Sequence, residues 1–218
     1  MSFYVWRYLT MKKTLILAAS LLSLNFIGCA AGHKNVDTSW TEAPKTISVL
    51  FTEPTVQNKD DVEDDLPEYK DNFSGWFSEQ LKAEFAEQTG ITPSVVEQKS
   101  DDSFDMTVTK LGKKEYKVPN PKFDAIGVDE GFVVSIAFLD ISRLSETRMI
   151  VPGSFETKSY LQYLGQYTIA DVSGKKVVTS GMFKARVTLG FALQKSDWEE
   201  NVKNLVEEII KDTPLEKK

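Results

Sequence analysis

The sequence is poor in the residue types that enzymes use as nucleophiles, general bases and metal ligands. It has one histidine, His33, and one cysteine, Cys29, among 218 residues. Catalysis by a serine or cysteine nucleophile needs a histidine held by a scaffold, and His33 lies in a segment without hydrophobic periodicity. We therefore expect neither a nucleophile–histidine site nor a zinc site of histidine and cysteine, and no cofactor. A single cysteine also excludes an intrachain disulfide.

Two other patterns match known sites only in part. Residues Ser173–Lys176 fit the Ser-x-x-Lys pattern, but in that motif the serine begins a helix, whereas these residues predict a hairpin turn. The densest acidic run lacks the central glycine of a calcium loop, so a solvated loop is favoured over weak binding of a divalent ion. This run consists of Asp60, Asp61, Glu63, Asp64 and Asp65.

Residues 11–29, MKKTLILAASLLSLNFIGC, have the parts of an export signal. Lys12 and Lys13 precede an apolar stretch of 15 residues, Thr14–Gly28. That length is short for a membrane span and usual for the core of a signal peptide. We predict that residues 1–28 are a signal peptide, that Met11 is the true start, and that residues 1–10 are a misassigned extension.

The end of this segment, Phe26-Ile27-Gly28-Cys29, resembles the lipobox of bacterial lipoproteins. Gly28 and Cys29 match that pattern, Ile27 is acceptable, and Phe26 replaces the usual leucine. The resemblance implies cleavage between Gly28 and Cys29, a lipid on the Cys29 thiol, and stable anchoring by two or three acyl chains such as palmitate. Ala30 after the cysteine implies transfer to the outer membrane, on its periplasmic face. The alternative is an ordinary signal peptide, or a buried helix, with a chance cysteine.

The net charge excludes some partners. Without residues 1–28 the chain has 23 basic and 32 acidic residues, a net charge of about −9. This argues against a nucleic-acid partner, which requires clustered lysine and arginine, and against binding to anionic lipid by overall charge alone.

The hydrophobic pattern predicts a lipidated tether over residues 29–44, one α+β domain over residues 45–212 and a frayed tail over residues 213–218. As a random coil the tether would span roughly 20 Å. Within the domain we expect a mostly antiparallel sheet with two amphipathic helices packed on one face. The predicted helices are 72–88 and 197–211, and the predicted strands are 45–52, 91–97, 103–111, 131–141, 158–171 and 175–189.

Local signals add detail to these elements. Gly90 is placed to cap the first helix, and Ser196 with Glu199 forms a capping box for the second. Residues 113–130 contain two prolines and predict a loop. For the last two strands we expect a three-residue loop with Gly174 in the left-handed region, which pairs Asp171 with Lys175 and Gly165 with Gly181. Paired glycines indicate a bend or a close approach by another element.

Five aromatic residues are candidates for a recognition surface, since aromatic side chains are enriched at interfaces. For two of them, Tyr163 and Trp198, core packing is the favoured alternative. The set is Phe155, Tyr160, Tyr163, Tyr167 and Trp198.

Beyond the lipobox, the chain resembles small envelope lipoproteins over residues 45–212. The resemblance comes from a first strand, Ile-Ser-Val-Leu-Phe, and from a late segment, Ile-Ala-Asp-Val-Ser-Gly-Lys-Lys-Val-Val, followed by an amphipathic helix. Activators of penicillin-binding proteins, curli-secretion lipoproteins and auxiliary lipoproteins of ABC-type lipid transport share this arrangement. The resemblance implies an α/β sandwich tethered to a membrane.

Three functions are compatible with these observations. The first is a non-enzymatic accessory protein that binds another envelope protein through an exposed apolar patch or a sheet edge. The second is a carrier of lipid or another apolar ligand, which predicts an enclosed apolar cavity between sheet and helices. The third is a carboxylate-based glycan hydrolase, but among 32 acids the sequence cannot single out a pair.

Overall fold

The structure is a computed structural model that describes residues 33–57, 72–98, 103–190 and 192–217. The predicted signal peptide, the lipidation site at Cys29 and the acidic run at 60–65 lie outside these ranges. The elements in chain order are β1 (Lys34–Val36), β2 (Ile47–Phe51), β3 (Thr55–Val56), α1 (Phe73–Thr89), β4 (Ser94–Glu97), β5 (Phe104–Leu111), β6 (Lys114–Pro121), β7 (Phe132–Val151), β8 (Ser154–Asp171), β9 (Lys176–Thr188) and α2 (Lys195–Ile210).

The main sheet is mixed, whereas we predicted a mostly antiparallel one. Its strand order is β1-β9-β8-β7-β2-β4, and β3 also pairs with β7. Strands β1, β9, β8 and β7 are antiparallel neighbours, but β2 runs parallel to both β7 and β4. The parallel pairing follows from the crossover between β2 and β4. Helix α1 lies between these strands in the sequence and carries the chain back to the end of the sheet where β2 began. The α+β class is retained, with both helices on one face of the sheet.

Helix α1 lies within one residue of the predicted range 72–88 and ends at the predicted cap, Gly90. The Asn72 side chain accepts a hydrogen bond from the Gly75 amide at 3.2 Å, and Gly90 ends the helix in the left-handed region at φ 77°. Its apolar side packs on the sheet through Trp76 and Phe77, together with leucine and phenylalanine further along.

Helix α2 begins two residues earlier than predicted, and its cap is different. The Asp197 carboxylate accepts from the Gln194 amide at 2.8 Å, so Gln194 and Asp197 replace the predicted Ser196–Glu199 capping box. Gln194 and Asp197 have the same three-residue separation as the predicted pair, but lie two residues nearer the N-terminus, and they form the capping box. The predicted frayed tail is also partly wrong, since Leu215 is 2% exposed and packs in the main core.

Strands β5 and β6 form a separate two-stranded sheet, the short hairpin, where we predicted a loop over 113–130. Pro119 and Pro121 misled that prediction. Counting from the Leu111–Lys114 pair beside the turn, both prolines fall at non-hydrogen-bonded positions, where the missing amide costs no ladder bond. The short hairpin lies on the sheet face opposite the helices, and the Thr168 hydroxyl donates to the Pro119 carbonyl at 2.6 Å.

The β8–β9 connection differs from the predicted three-residue loop. Asp171 pairs with Lys176, so the loop has four residues, and Lys175, at φ 45°, takes the left-handed conformation assigned to Gly174. A bulge at Val178 then adds a second shift. The longer loop and the bulge each shift the pairing by one residue, so the total shift from the predicted register is two residues. Because side chains alternate between the two faces of a strand, a shift of two keeps the same side chains facing the core.

The two glycines of this strand pair do not face each other. Gly165 lies opposite Phe183, and Gly181 lies opposite Tyr167. A Cβ atom on Gly181 would lie 2.7 Å from the Tyr167 ring, and one on Gly165 would overlap the Phe183 ring. Each glycine therefore provides the space for an aromatic ring of its cross-strand partner. The predicted pairing of the two glycines, with an approach by another element, is wrong.

The chain joins the sheet before residue 45, so the segment predicted as a tether is structured from about residue 34. β1 pairs with β9 as an edge strand, and Trp40 stacks on Phe132 at 5.4 Å between ring centroids. The Lys34 ammonium group donates to the carbonyls of Glu208 and Lys211 at the end of α2, where a cation is favourable.

Candidate functional site

The most unusual surface of the molecule is a two-stranded ribbon that extends beyond the sheet. Strand β9 pairs with β8 only as far as Tyr160, which lies opposite Thr188. Beyond that point β7 and β8 pair with each other over residues 145–159, here called the ribbon. All residues from 147 to 158 are exposed. At about 3.3 Å per residue the ribbon projects by roughly 20 Å.

The local sequence explains both the turn and the pairing of the ribbon. Pro152 and Gly153, at φ 84°, occupy the central positions of a tight turn in which glycine accepts the positive φ. Ile150 is an extra residue between two paired positions and forms a β-bulge. On one face the hydroxyls of Thr147 and Thr157 lie 2.9 Å apart, and a serine pair nearer the sheet makes the same contact at 3.0 Å.

The end of the ribbon carries a group of exposed apolar side chains, here called the apolar tip. Their exposed fractions lie between 56% and 61%, although such residues are usually buried. Met149 and Phe155 are direct cross-strand partners. The apolar tip consists of Met149, Ile150, Val151 and Phe155. Contiguous exposed apolar side chains of this kind mark contact surfaces in soluble domains.

The two strands between the base and the apolar tip, here called the flanks, carry charged side chains. Glu146 and Arg148 lie on β7, and Glu156 and Lys158 lie on β8, so the ribbon has no net charge. Charged flanks discourage edge-to-edge aggregation of exposed strands. The apolar contact area is thereby confined to the tip.

Arg186 on β9 fixes the base of the ribbon. Its guanidinium group donates to Glu146 at 2.7 Å and to the Gln162 side chain at 2.8 Å, and it lies 5.2 Å from the centre of the Tyr160 ring. The hydrogen bond and positive charge of Arg186 lower the pKa of the Glu146 carboxyl below its usual value. One side chain thus joins three strands where the third strand ends.

The five aromatic candidates separate into two groups. Tyr163, Tyr167 and Trp198 are fully buried, so the core alternative is right for Tyr163 and Trp198 and also applies to Tyr167. Burial raises the pKa of both tyrosines above the usual value. Phe155 belongs to the apolar tip, and Tyr160 lies at the ribbon base. The ribbon itself was missed, because only 131–141 and 158–171 were predicted as strand.

His33 is held by the domain, which corrects the premise that it lies in an unstructured tether. Its carbonyl accepts from the Met182 amide at 3.2 Å, and its ring lies against Gly112. Ser173 and its neighbours form the predicted turn, with Lys175 bonded to Asp124 at 2.7 Å. Within the described ranges, no three histidine, cysteine, aspartate or glutamate side chains come together as a metal site would require.

The carrier function, which predicts an enclosed apolar cavity, receives little support from the described geometry. The space between helices and sheet is filled by an aromatic cluster in which Trp198 lies 6.1 Å from Tyr163 and 5.9 Å from Phe73. A cleft of about 450 Å³ near the ends of the helices is lined largely by charged side chains such as Glu87 and Glu207. No helix among the described residues has the length and apolar character needed to cross a membrane.

No family model matches this chain, and no curated protein matches it. Among solved structures, a neuraminyllactose-binding hemagglutinin homologue from Helicobacter pylori is 11% identical, with 79% of this chain and 88% of that chain covered and a TM-score of 0.36. The PelC dodecamer from Paraburkholderia phytofirmans is 12% identical, with 80% and 96% covered and a TM-score of 0.37. A minor lipoprotein from Acinetobacter baumannii is 12% identical, with 74% and 88% covered and a TM-score of 0.30. Similarities this remote carry no functional inference.

Proposed function

We propose that the chain is a lipid-anchored accessory protein of the bacterial envelope that binds another envelope protein through the apolar tip, without catalysing a reaction. The observation that carries this proposal is the exposure of Met149, Ile150, Val151 and Phe155 at the end of a projecting ribbon. A monomeric domain gains nothing from such exposure, whereas a partner with an apolar groove would bury it.

The geometry of the ribbon supports a specific contact. Because Arg186 fixes the base and the two strands remain paired up to the turn, with one bulge at Ile150, the tip is presented with little loss of conformational freedom on binding. Because the flanks are charged and sum to zero, binding depends on the tip and not on overall electrostatic attraction. The ribbon also offers unpaired backbone groups along both strands, which could extend the contact by strand addition.

The anchor in this proposal is a lipid on Cys29, and the location is the periplasmic face of the outer membrane. The lipobox resemblance of Phe26–Cys29 supports the anchor, and Ala30 after the cysteine supports the location. Labelling with radioactive palmitate tests the anchor, since Cys29→Ala should lose the label. Label retained by Cys29→Ala would contradict lipidation at this residue.

The partner is tested by cross-linking the full-length protein in its native envelope, followed by gentle purification and mass spectrometry. We expect one stoichiometric protein to accompany the wild type and to be absent from the tip variant Met149→Ser/Ile150→Ser/Phe155→Ser. The control is Val96→Ser/Phe138→Ser, which changes exposed apolar residues outside the ribbon and should retain the partner. Equal recovery with both variants would contradict binding through the tip.

A further inference from the structure

A second exposed surface lies where the chain enters the domain, and it has a different chemistry. The ring of His33 lies against Gly112 at the turn of the short hairpin, so that a Cβ on Gly112 would be 3.3 Å from the His33 Nδ1 atom. The His33 carbonyl is bonded to the Met182 amide of β9. The turn of the short hairpin therefore lies beside the point at which the preceding chain leaves the domain.

Covalent geometry limits how far this turn can be from the proposed anchor. Only four residue steps separate Cys29 from His33, and a fully extended chain of that length spans at most about 14 Å. This limit holds whatever conformation the intervening residues adopt. If Cys29 carries lipid, as the proposed function requires, the turn of the short hairpin is confined to the immediate neighbourhood of the bilayer surface.

The short hairpin is basic in a chain that is otherwise acidic. Around its turn are four exposed lysines and one glutamate, Glu115, for a local net charge of +3. The lysines are Lys110, Lys113, Lys114 and Lys117. None of the four has an ion-pair partner among the described residues, whereas Lys122 at the hairpin base lies 3.5 Å from Asp105. The ammonium groups at the turn are thus available to an external anion.

Exposed apolar side chains accompany these lysines. Val108 is 57% and Met106 39% exposed, and both share the outward face of the hairpin with Lys110 and Lys117, because alternate residues of a strand project to the same side. Lysines beside apolar side chains suit a membrane surface, where headgroups bind the cations and the apolar groups enter the boundary below them.

We propose that the outward face of the short hairpin contacts the anionic headgroups of the bilayer that holds the anchor. Each lysine near such a surface strengthens contact by about fivefold, and the attraction fades over about 10 Å. The lysines can act over this short distance because the anchor holds the turn close to the lipid headgroups. The lipid on Cys29 then provides attachment, and the hairpin determines which side of the domain faces the membrane.

The test uses the full-length lipidated chain, reconstituted into vesicles of phosphatidylcholine with or without phosphatidylglycerol. Because the Cys29 thiol is occupied by lipid, a cysteine introduced by Val108→Cys takes a fluorophore at one position, and Lys82→Cys on α1 provides the control position. Nitroxide on the lipid headgroups reports contact by quenching. We expect strong quenching at residue 108 in anionic vesicles, weaker quenching in neutral vesicles, and little at residue 82 in either.

The triple change Lys110→Gln/Lys113→Gln/Lys117→Gln should weaken hairpin–lipid contact by about 100-fold and remove the difference between vesicles. The charge-matched control Lys82→Gln/Lys203→Gln/Lys217→Gln should leave it intact. Equal quenching at residue 108 in both vesicle types would overturn the proposal. Flotation of the same samples tests the anchor separately, since a chain that floats with neutral vesicles is anchored whatever the hairpin does.

Discussion

Among the described residues, two β-hairpins expose apolar side chains, and they differ in what surrounds those side chains. The ribbon, residues 145–159, extends beyond the sheet, is electrically neutral and ends in four apolar residues. The short hairpin lies against the sheet, ends in lysines and exposes Val108 and Met106. Apolar groups without charge fit a protein groove, whereas apolar groups among lysines fit an anionic bilayer. This difference supports our proposals that the ribbon contacts a protein partner and that the short hairpin contacts the membrane.

The largest effect is expected from the apolar tip. Met149→Ser/Ile150→Ser/Phe155→Ser should weaken partner binding by at least about 2 kcal/mol, or roughly 30-fold, because exposed anchors of this kind dominate interface energies. The free energy of unfolding should change by less than about 0.5 kcal/mol, since the side chains are more than half exposed. Titration calorimetry and urea denaturation measure the two quantities. A variant that unfolds early would show instead that the tip serves stability.

The turns of the two hairpins permit a matched comparison. Gly112 and Gly153 both have positive φ, at 64° and 84°, so alanine at either position should cost about 1 kcal/mol in backbone strain. A Cβ on Gly112 also crowds His33, whereas a Cβ on Gly153 meets nothing within 4 Å. We expect Gly112→Ala to lower the urea midpoint and Gly153→Ala to increase amide exchange only in the ribbon. The reverse pattern would contradict docking of the short hairpin.

Arg186→Ala should loosen the ribbon without unfolding the body. The change removes contacts to Glu146 and Gln162 at the edge of the sheet, where solvent screens the charges and the loss is local and modest. Amide exchange should increase across the ribbon. Arg148→Ala is the control, because Arg148 also lies near Glu146, at 3.6 Å, but is 75% exposed and should contribute almost nothing. Equal effects of the two variants would refute the role assigned to Arg186.

The smallest effect is a pH dependence at the same place. Because Arg186 lowers the pKa of Glu146 in the folded state, the ion pair stabilises the ribbon above the usual carboxyl pKa of 4.5. That stabilisation is lost as the pH falls through the lowered folded-state value. Nuclear magnetic resonance of ribbon amides should therefore show greater motion on acidification in the wild type. Glu146→Gln should show no such change, and a matching change in that variant would rule out this ion pair as the cause.

Local chemistry made some elements predictable from sequence. Helix α1 starts after Asn72 and ends at Gly90, and both caps depend only on residues close by in the sequence. The spacing of apolar residues predicts both helices. The register of β8 and β9 was harder to predict from the sequence, because the bulge at Val178 depends on packing across the sheet. Which side chains of the two strands face the core was still predictable, since burying the wrong face would cost far more free energy than a register shift of two residues.

The candidate site was largely unpredictable from sequence. Apart from Leu144, residues 142–148 are small, polar or charged and lack the apolar alternation that predicts a strand. Their strand structure follows from pairing with β8, which continues after β9 has ended. Only Pro152-Gly153 between apolar residues signalled a turn. Phe155 was named as a recognition candidate, but its exposure depends on β9 ending at Thr188, which the sequence does not announce.

Site-specific photo-cross-linking tests the central claim most directly. A photoreactive amino acid would replace Phe155 in one sample and Lys82 in another, in the full-length protein in its native envelope. The account predicts one discrete protein adduct from residue 155, reduced by an excess of unmodified wild type but not by the tip variant, and absent from residue 82. No adduct at residue 155, or the same adducts from both positions, would contradict the assignment of the apolar tip as a protein-binding surface.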